Sequence, residues 1–180
     1  MAVKALLHYA LDVPDQGAGE KFYTSFGLTN ASTRDNAVRL RPAALVRESV
    51  LLYAGPKKRL HHLAFGAPGD EYEATREAVR RAGVREVDAP RGAPEGGFWL
   101  RDPDGNAVNV RNEGRVLPPA DPPLAINSPG HIGREVRRAC PEAGQGAQPR
   151  RLGHVLLFSG DLGRQIDFYT RVLGMKLTDR

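Results

Sequence analysis

The chain has 180 residues, 26% of them charged and 41% hydrophobic, the balance of a soluble globular protein with one ordinary domain and an appendage. No apolar run approaches the roughly 18 residues that span a bilayer. The N-terminus lacks the charged region and cleavage site of a signal peptide, and Cys140 is the single cysteine, so no membrane partner and a reducing, cytoplasmic location are expected. The net charge of +5 brings nucleic acid to mind, but its basic pairs (Lys57-Lys58-Arg59, Arg80-Arg81, Arg137-Arg138, Arg150-Arg151) are scattered and have no interleaved aromatic residues, so no nucleic-acid partner is expected.

In chain order, the first fifteen residues read as a strand, and Asp15 opens a helix that carries Phe22-Tyr23. Weaker strand signals follow at Ala37–Leu40 and Ser49–Tyr53. Residues 59–83 are again a short apolar strand, a turn and a helix. Asp70 with Glu73 has the spacing of a capping box, while Tyr72, Thr75, Val79 and Ala82 recur at helical spacing and should face inward. Gly83 supplies a left-handed C′ position. "GFWLRDPDGNAVNV" at 97–110 reads as two strands around a turn in which Pro103 fixes φ and Gly105 can take positive φ. Residues 114–150 are crowded with proline and glycine and read as a linker, with one helical turn near Arg134–Ala139. From Gly153 onward, an apolar strand leads into a capped helix and the beginning of another strand.

The tail repeats the head. His8 and His154, Asp15 and Asp161, Phe22 and Phe168, and Tyr23 and Tyr169 are each 146 residues apart, and a one-residue gap then aligns Gly27 with Gly174. Such self-similarity marks a supersecondary unit that is repeated and needs partners to close its core. Residues 151–180 are shorter than the roughly 40 residues at which unstapled domains become viable. Exposing Val155, Leu156, Leu157, Phe158, Ile166 and Leu173 would forgo about 1.5–3 kcal/mol for each large side chain. The tail is therefore expected to need a missing half, a partner chain or a place against the first domain.

These motifs, namely the strand histidines His8, His62 and His154, the "FY…G" helices and the "DPDGN" hairpin at 102–106, resemble the vicinal-oxygen-chelate superfamily of glyoxalase I, bleomycin-resistance proteins and type I extradiol dioxygenases. The resemblance implies an α+β fold of paired βαβββ modules. A domain of two modules (residues 1–113, divided near 58) would be followed by the linker at 114–150 and the start of a truncated third module at 151–180. The layout most resembles the N-terminal part of an extradiol dioxygenase, which cleaves a catechol-like aromatic diol with dioxygen at Fe(II). His154 then matches the first iron ligand, and the second histidine and the carboxylate of that triad are absent from this sequence. The resemblance thus implies a small aromatic substrate and Fe(II) for a full-length protein, and no activity and no bound metal for these 180 residues alone. A homo-oligomer stays open, since such modules pair within or between chains.

His8 and His62 fall where glyoxalase-type relatives place metal histidines. A carboxylate is expected at the end of "DPDGNxxE", where this sequence has Asn109, a neutral and weaker ligand. "SVLLYAGP" in the first module carries no acid, and Glu48 lies just upstream of it. The two histidines are therefore expected to be packed and vestigial. His61 should point to the opposite face of its strand. Two readings stand beside the dioxygenase: a metal-free small-molecule-binding protein of the bleomycin-resistance type, and a glyoxalase-like metal-dependent lyase or isomerase using His8 and His62. No catalytic triad or phosphate-binding loop is visible. "GAPEGG" at 92–97 reads as a plain loop, and Cys140 has no evident role.

Overall fold

The computed structural model describes residues 3–120, 129–130 and 147–178. The expected helical turn at 134–139 and Cys140 lie outside the described residues. Those of the linker that are described, 114–120, 129–130 and 147–150, form neither helix nor strand.

Residues 5–111 form one seven-stranded sheet from two similar halves. The first half is β1 (Ala5–Val13), α1 (Gln16–Ser25), β2 (Leu28–Arg34), β3 (Ala37–Pro42) and β4 (Val50–Ala54). The second is β5 (Arg59–Gly66), α2 (Asp70–Arg81), β6 (Phe98–Arg101) and β7 (Ala107–Arg111). The strand order is β2-β3-β4-β1-β5-β7-β6. In each half the opening strand pairs parallel with the closing one, β1 with β4 and β5 with β7, and the antiparallel β1–β5 pair joins the halves. The second half's counterpart of β2 is reduced to one bridge, Val87 to Trp99. The mixed α+β architecture of paired modules is therefore as the motifs imply. The sequence left β2 unread because "LTNASTR" has a single large apolar residue, Leu28, and its other residues are largely exposed.

Strand alternation sorts the side chains onto two faces. Val13, Leu28, Val38, Leu40, Val50 and Leu52 pack beneath α1 with Tyr23. Leu63, Phe65, Phe98, Leu100, Val108 and Val110 pack beneath α2 with Val79. In α2 the buried residues are Thr75, Ala78 and Val79. Ala82 is instead the exposed C-cap, because a Schellman closure pulls the chain away there: Val84 N–H donates to Val79 O and Gly83 N–H to Arg80 O, with Gly83 at φ 68°. The expected cap also shifts by one residue. Gly69 is the N-cap and no side chain bonds into the turn, while Asp70, Glu71 and Glu73 occupy the first turn, where the helix dipole favours them.

Gly97 leads into β6 at φ 73°, and a Cβ there would overlap the carbonyl of Val110. Gly97→Ala is expected to cost on the order of 2–3 kcal/mol, combining the φ penalty with the clash. Urea denaturation of the variant would measure it, and a loss below the error of the method would show that the entry to β6 relaxes freely.

The tail folds onto the second half. Residues 151–159 form no strand, in contrast to the strand expected there, because no described segment pairs with their backbone. They keep its alternation in part: Val155 and Leu157 pack against the α2-side core, while Leu156 and Phe158 are 77% and 92% exposed. α3 (Leu162–Asp167) is capped by Asp161, as Asp15 caps α1, and runs directly into a π-helical turn at Phe168–Val172. That turn explains the one-residue gap in the repeat. α1 closes with Phe26 N–H on Phe22 O, whereas α3 closes with Leu173 N–H on Phe168 O, one residue later. The extra residue brings Leu173 to full burial beside Phe168 and Val172 in the second half's core.

Candidate functional site

The sheet face away from α1 and α2 carries His8 on β1, His62 on β5, and Trp99 and Asn109 on β6 and β7. All are buried, His62 and Asn109 almost completely. His8 Nε2 lies 3.0 Å from His62 Nε2, so the two candidate histidines are brought together. His61 joins them, contrary to the strict alternation expected of a strand. The β1–β5 register slips between Ala10–His62 and Leu11–Leu60, leaving His61 as the extra residue of a bulge. Its Nδ1 lies 2.7 Å from His62 Nδ1, its ring stacks on Tyr53 at 4.4 Å, and its Nε2 reaches the carbonyl of Arg91 at 3.2 Å.

The Arg91 carbonyl can only accept, and this fixes a consistent order along the chain. His61 Nε2–H donates to Arg91, His62 Nδ1–H donates to His61, and His8 Nε2–H donates to His62. This directional chain requires His61 and His62 to be neutral, since each accepts at one ring nitrogen. Burial pushes His8 down to about 3 and His62 down to about 2, helped by the positive charges of Arg111 and Arg39 and, for His62, by the other two histidines. Burial also lowers His61. Trp99 meets the His62 ring edge-on at 5.1 Å, so the centre of this face is filled by its own side chains.

The donor set does not suit ferrous iron, which takes two imidazoles and a carboxylate on one face with open positions. Each of the facing nitrogens of His8, His61 and His62 is already engaged by another histidine or by a carbonyl. Asn109 donates its amide to the carbonyls of Gly96 and Phe98, acting as a brace between β7 and the loop before β6. The neighbouring acids are also engaged: Asp12 is held by Arg59, Glu48 by Arg34, and Glu113 by Arg47 and Arg111. His154 is exposed and sits over the opposite face, lining a cleft with Leu6, Phe65 and Tyr169. It is therefore not brought to His8 and His62. Among the described residues, no group of three or more His, Cys, Asp or Glu is arranged to hold a metal ion.

A second polar centre went unread in the sequence. Asp102 of the "DPDGN" turn is 4% exposed. Its Oδ1 accepts from the Asp104 and Asn106 backbone N–H groups, and its Oδ2 from the Asn106 amide. From the tail, Gln165 Nε2 donates to Oδ2 at 2.7 Å and the Tyr169 hydroxyl at 3.3 Å, while Gly160 N–H donates to Asp104. Burial and the Asp102 carboxylate both raise the Tyr169 hydroxyl well above its ordinary range, keeping it protonated as a donor. The sequence signals the turn but not its partners, because they lie 63 and 67 residues away.

Comparison with known proteins follows the same architecture. Residues 8–111 match a glyoxalase-like domain family, and residues 151–180 match the glyoxalase/bleomycin resistance protein/dioxygenase superfamily. Metapyrocatechase 2 from Cupriavidus necator is 37% identical over 181 residues, covering 99% of this chain and 55% of the relative. Similar solved structures include a Mn(II)-bound glyoxalase from Novosphingobium aromaticivorans (TM-score 0.68, 21% identity, 97% of this chain and 54% of that one). A catechol 2,3-dioxygenase gives TM-score 0.65 and 20% identity over 96% of this chain and 58% of that one. The chain thus spans a little over half the length of these three proteins. With one family covering more than half of its residues and the paired-module sheet to match, the chain belongs to the glyoxalase/bleomycin resistance protein/dioxygenase superfamily.

Proposed function

We propose that this chain is the N-terminal, metal-free part of an extradiol-type dioxygenase whose complete form cleaves a catechol-like aromatic diol with dioxygen at ferrous iron. The observation that carries this reading is the 37% identity to a metapyrocatechase, sustained over 99% of the chain. The donor chemistry is in keeping with it. His8, His61 and His62 are spent on one another, so the two-module sheet serves as scaffold. His154 is exposed and unencumbered, as a ligand completed by residues outside these 180 would be.

Two assays test the reading. The purified chain, supplied anaerobically with ferrous iron and then with catechol and oxygen, is expected to give no ring-fission product. The same chain exchanged for the matching 181 residues of metapyrocatechase 2 is expected to restore turnover, and His154→Ala in that chimera to abolish it by at least a thousandfold, with iron content falling in parallel. Ring fission by the 180-residue chain, or a chimera indifferent to His154→Ala, would sink the proposal.

A further inference from the structure

Three arginines from distant parts of the chain line one small cavity. Arg47 comes from the connection between β3 and β4, Arg115 from the start of the linker, and Arg151 from its far side, where the tail begins. The cavity measures about 50 Å³, with Leu6, Leu152 and the buried Ser49 among its other lining residues, and no acidic side chain lines it. Its walls are tied by contacts to main-chain carbonyls. Arg47 donates to Gly114, Arg115 donates to Lys4, and Arg150 reaches across the linker to Pro119.

The positive charge around this cavity is not balanced. Glu113 pairs with Arg47 at 3.0 Å and also with Arg111, so one carboxylate already serves two guanidiniums. Glu71 is taken by Lys4 and Glu48 by Arg34. Among the described residues, Arg115 and Arg151 form no ion pair; Arg115 meets only the Lys4 carbonyl, and Arg151 has no hydrogen-bond partner. A guanidinium offers five donors and no acceptor. The cavity therefore holds donors and positive charge in excess, and what it lacks are acceptors and negative charge.

We propose that this cavity binds inorganic phosphate, held by Arg115 and Arg151 with Arg47 and the Ser49 hydroxyl, and that the ion ties the two ends of the linker to the start of β1. Guanidiniums arriving from three segments suit a tetrahedral ion, whose oxygens point in several directions. A planar carboxylate is satisfied by a single fork. The two unpaired arginine charges match a phosphate dianion. A volume of about 50 Å³ is several times the roughly 10–15 Å³ that one water needs, which is room for one small oxyanion and not for the body of an organic ester. Bound there, the ion would bridge residues 115 and 151 across the whole linker and fix the point from which the tail runs to its seat on the second half.

The inference is independent of the dioxygenase reading, and its test needs only the 180-residue chain. Inorganic phosphate is titrated calorimetrically against a chloride background of constant ionic strength. Saturable one-to-one binding is expected, weakened at least tenfold by Arg115→Gln and by Arg151→Gln. Arg151→Lys keeps the charge but loses the fork, and is expected to bind with intermediate affinity. Arg171→Gln removes the same charge from an exposed position on the tail and is expected to change nothing. Arg115 and Arg151 are exposed, so their variants keep the fold, and hydrogen exchange gives a second readout. Phosphate is expected to slow exchange at residues 115–117 and 151–153 in the wild type and not in the two glutamine variants. Absence of saturable binding would overturn the proposal. So would equal weakening by Arg171→Gln, which would make the effect one of net charge alone.

Discussion

Lowering the pH from 7 to 5 is expected to destabilise the fold by about 4 kcal/mol, because His8 and His62 must stay neutral while folded. Their folded-state values are about 3 and about 2, against 6.5 for the free group. Below 6.5 the unfolded chain therefore binds protons that the folded chain refuses. Each pH unit below 6.5 then costs about 1.4 kcal/mol per histidine, until the pH nears the folded-state values. Stability is fully present above 6.5 and falls as the pH drops. Glu86, whose pKa is lowered by its hydrogen bonds from Arg76, acts in the same direction, but only below its free value of 4.5. The interval between 6.5 and 4.5 thus belongs to the histidines.

Urea denaturation at half-unit steps from pH 8 to 4.5 measures this directly. The double substitution His8→Leu with His62→Phe is expected to flatten the profile over that interval. It removes both members of the buried pair, which is far less costly than leaving one unpaired. The remaining slope would come from His61, whose pKa is lowered more modestly by half-burial. A wild-type profile that is flat from 7 to 5 would mean that the three rings titrate freely and that the hydrogen-bonded chain is not maintained in solution.

The same cluster shows what could be read in the sequence and what could not. His8 and His62 were singled out together by the resemblance, which places metal histidines on the opening strands of its modules, and the β1–β5 pairing sets those strands side by side. Asn109 was legible as the position where an acid is missing, since a hairpin motif fixes its place. His61 was not, because period-two alternation puts it on the far face and a single bulge reverses that. Bulges arise from register between strands, which the local sequence does not encode. The tail's strand was misread for a related reason. Val155 and Leu157 carry the alternation of a strand, but a strand exists only where another backbone offers hydrogen bonds, and none of the described residues offers them here. The tail's docking needed one thing more. The sequence said that the unit could not stand alone, and only Asp102, a turn residue by every local sign, says where it attaches.

That attachment makes Asp102 the position where one substitution should cost most. Its carboxylate collects five donors: two backbone N–H groups and the Asn106 amide within the turn, and Gln165 and Tyr169 from the tail. Asp102→Ala removes the acceptor of the Gln165 amide nitrogen and the Tyr169 hydroxyl at a buried interface. Stranding buried donors costs about 1–3 kcal/mol for each one that water cannot reach, so a loss on the order of 3–5 kcal/mol is expected. The effect should also be directional. Relieved of its polar anchor, α3 is expected to lose hydrogen-exchange protection across residues 162–173 well before the sheet does, while β1, β4 and β5 keep theirs. Leu173→Ala gives the apolar comparison. It is expected to cost about 2–4 kcal/mol by opening a cavity where Leu173 is fully buried, and to loosen the tail without disturbing the turn. Asp102→Asn separates charge from geometry: with its amide oxygen at the Oδ2 position it still accepts from Gln165, Tyr169 and the Asn106 amide, but its NH2 then faces the Asp104 and Asn106 backbone N–H groups as donor against donor. An intermediate loss is therefore expected, greater in the turn than in α3. If Asp102→Ala instead lowers protection evenly over the whole sheet, the turn is a general element of the core, and the tail is held by Phe168, Val172 and Leu173 alone.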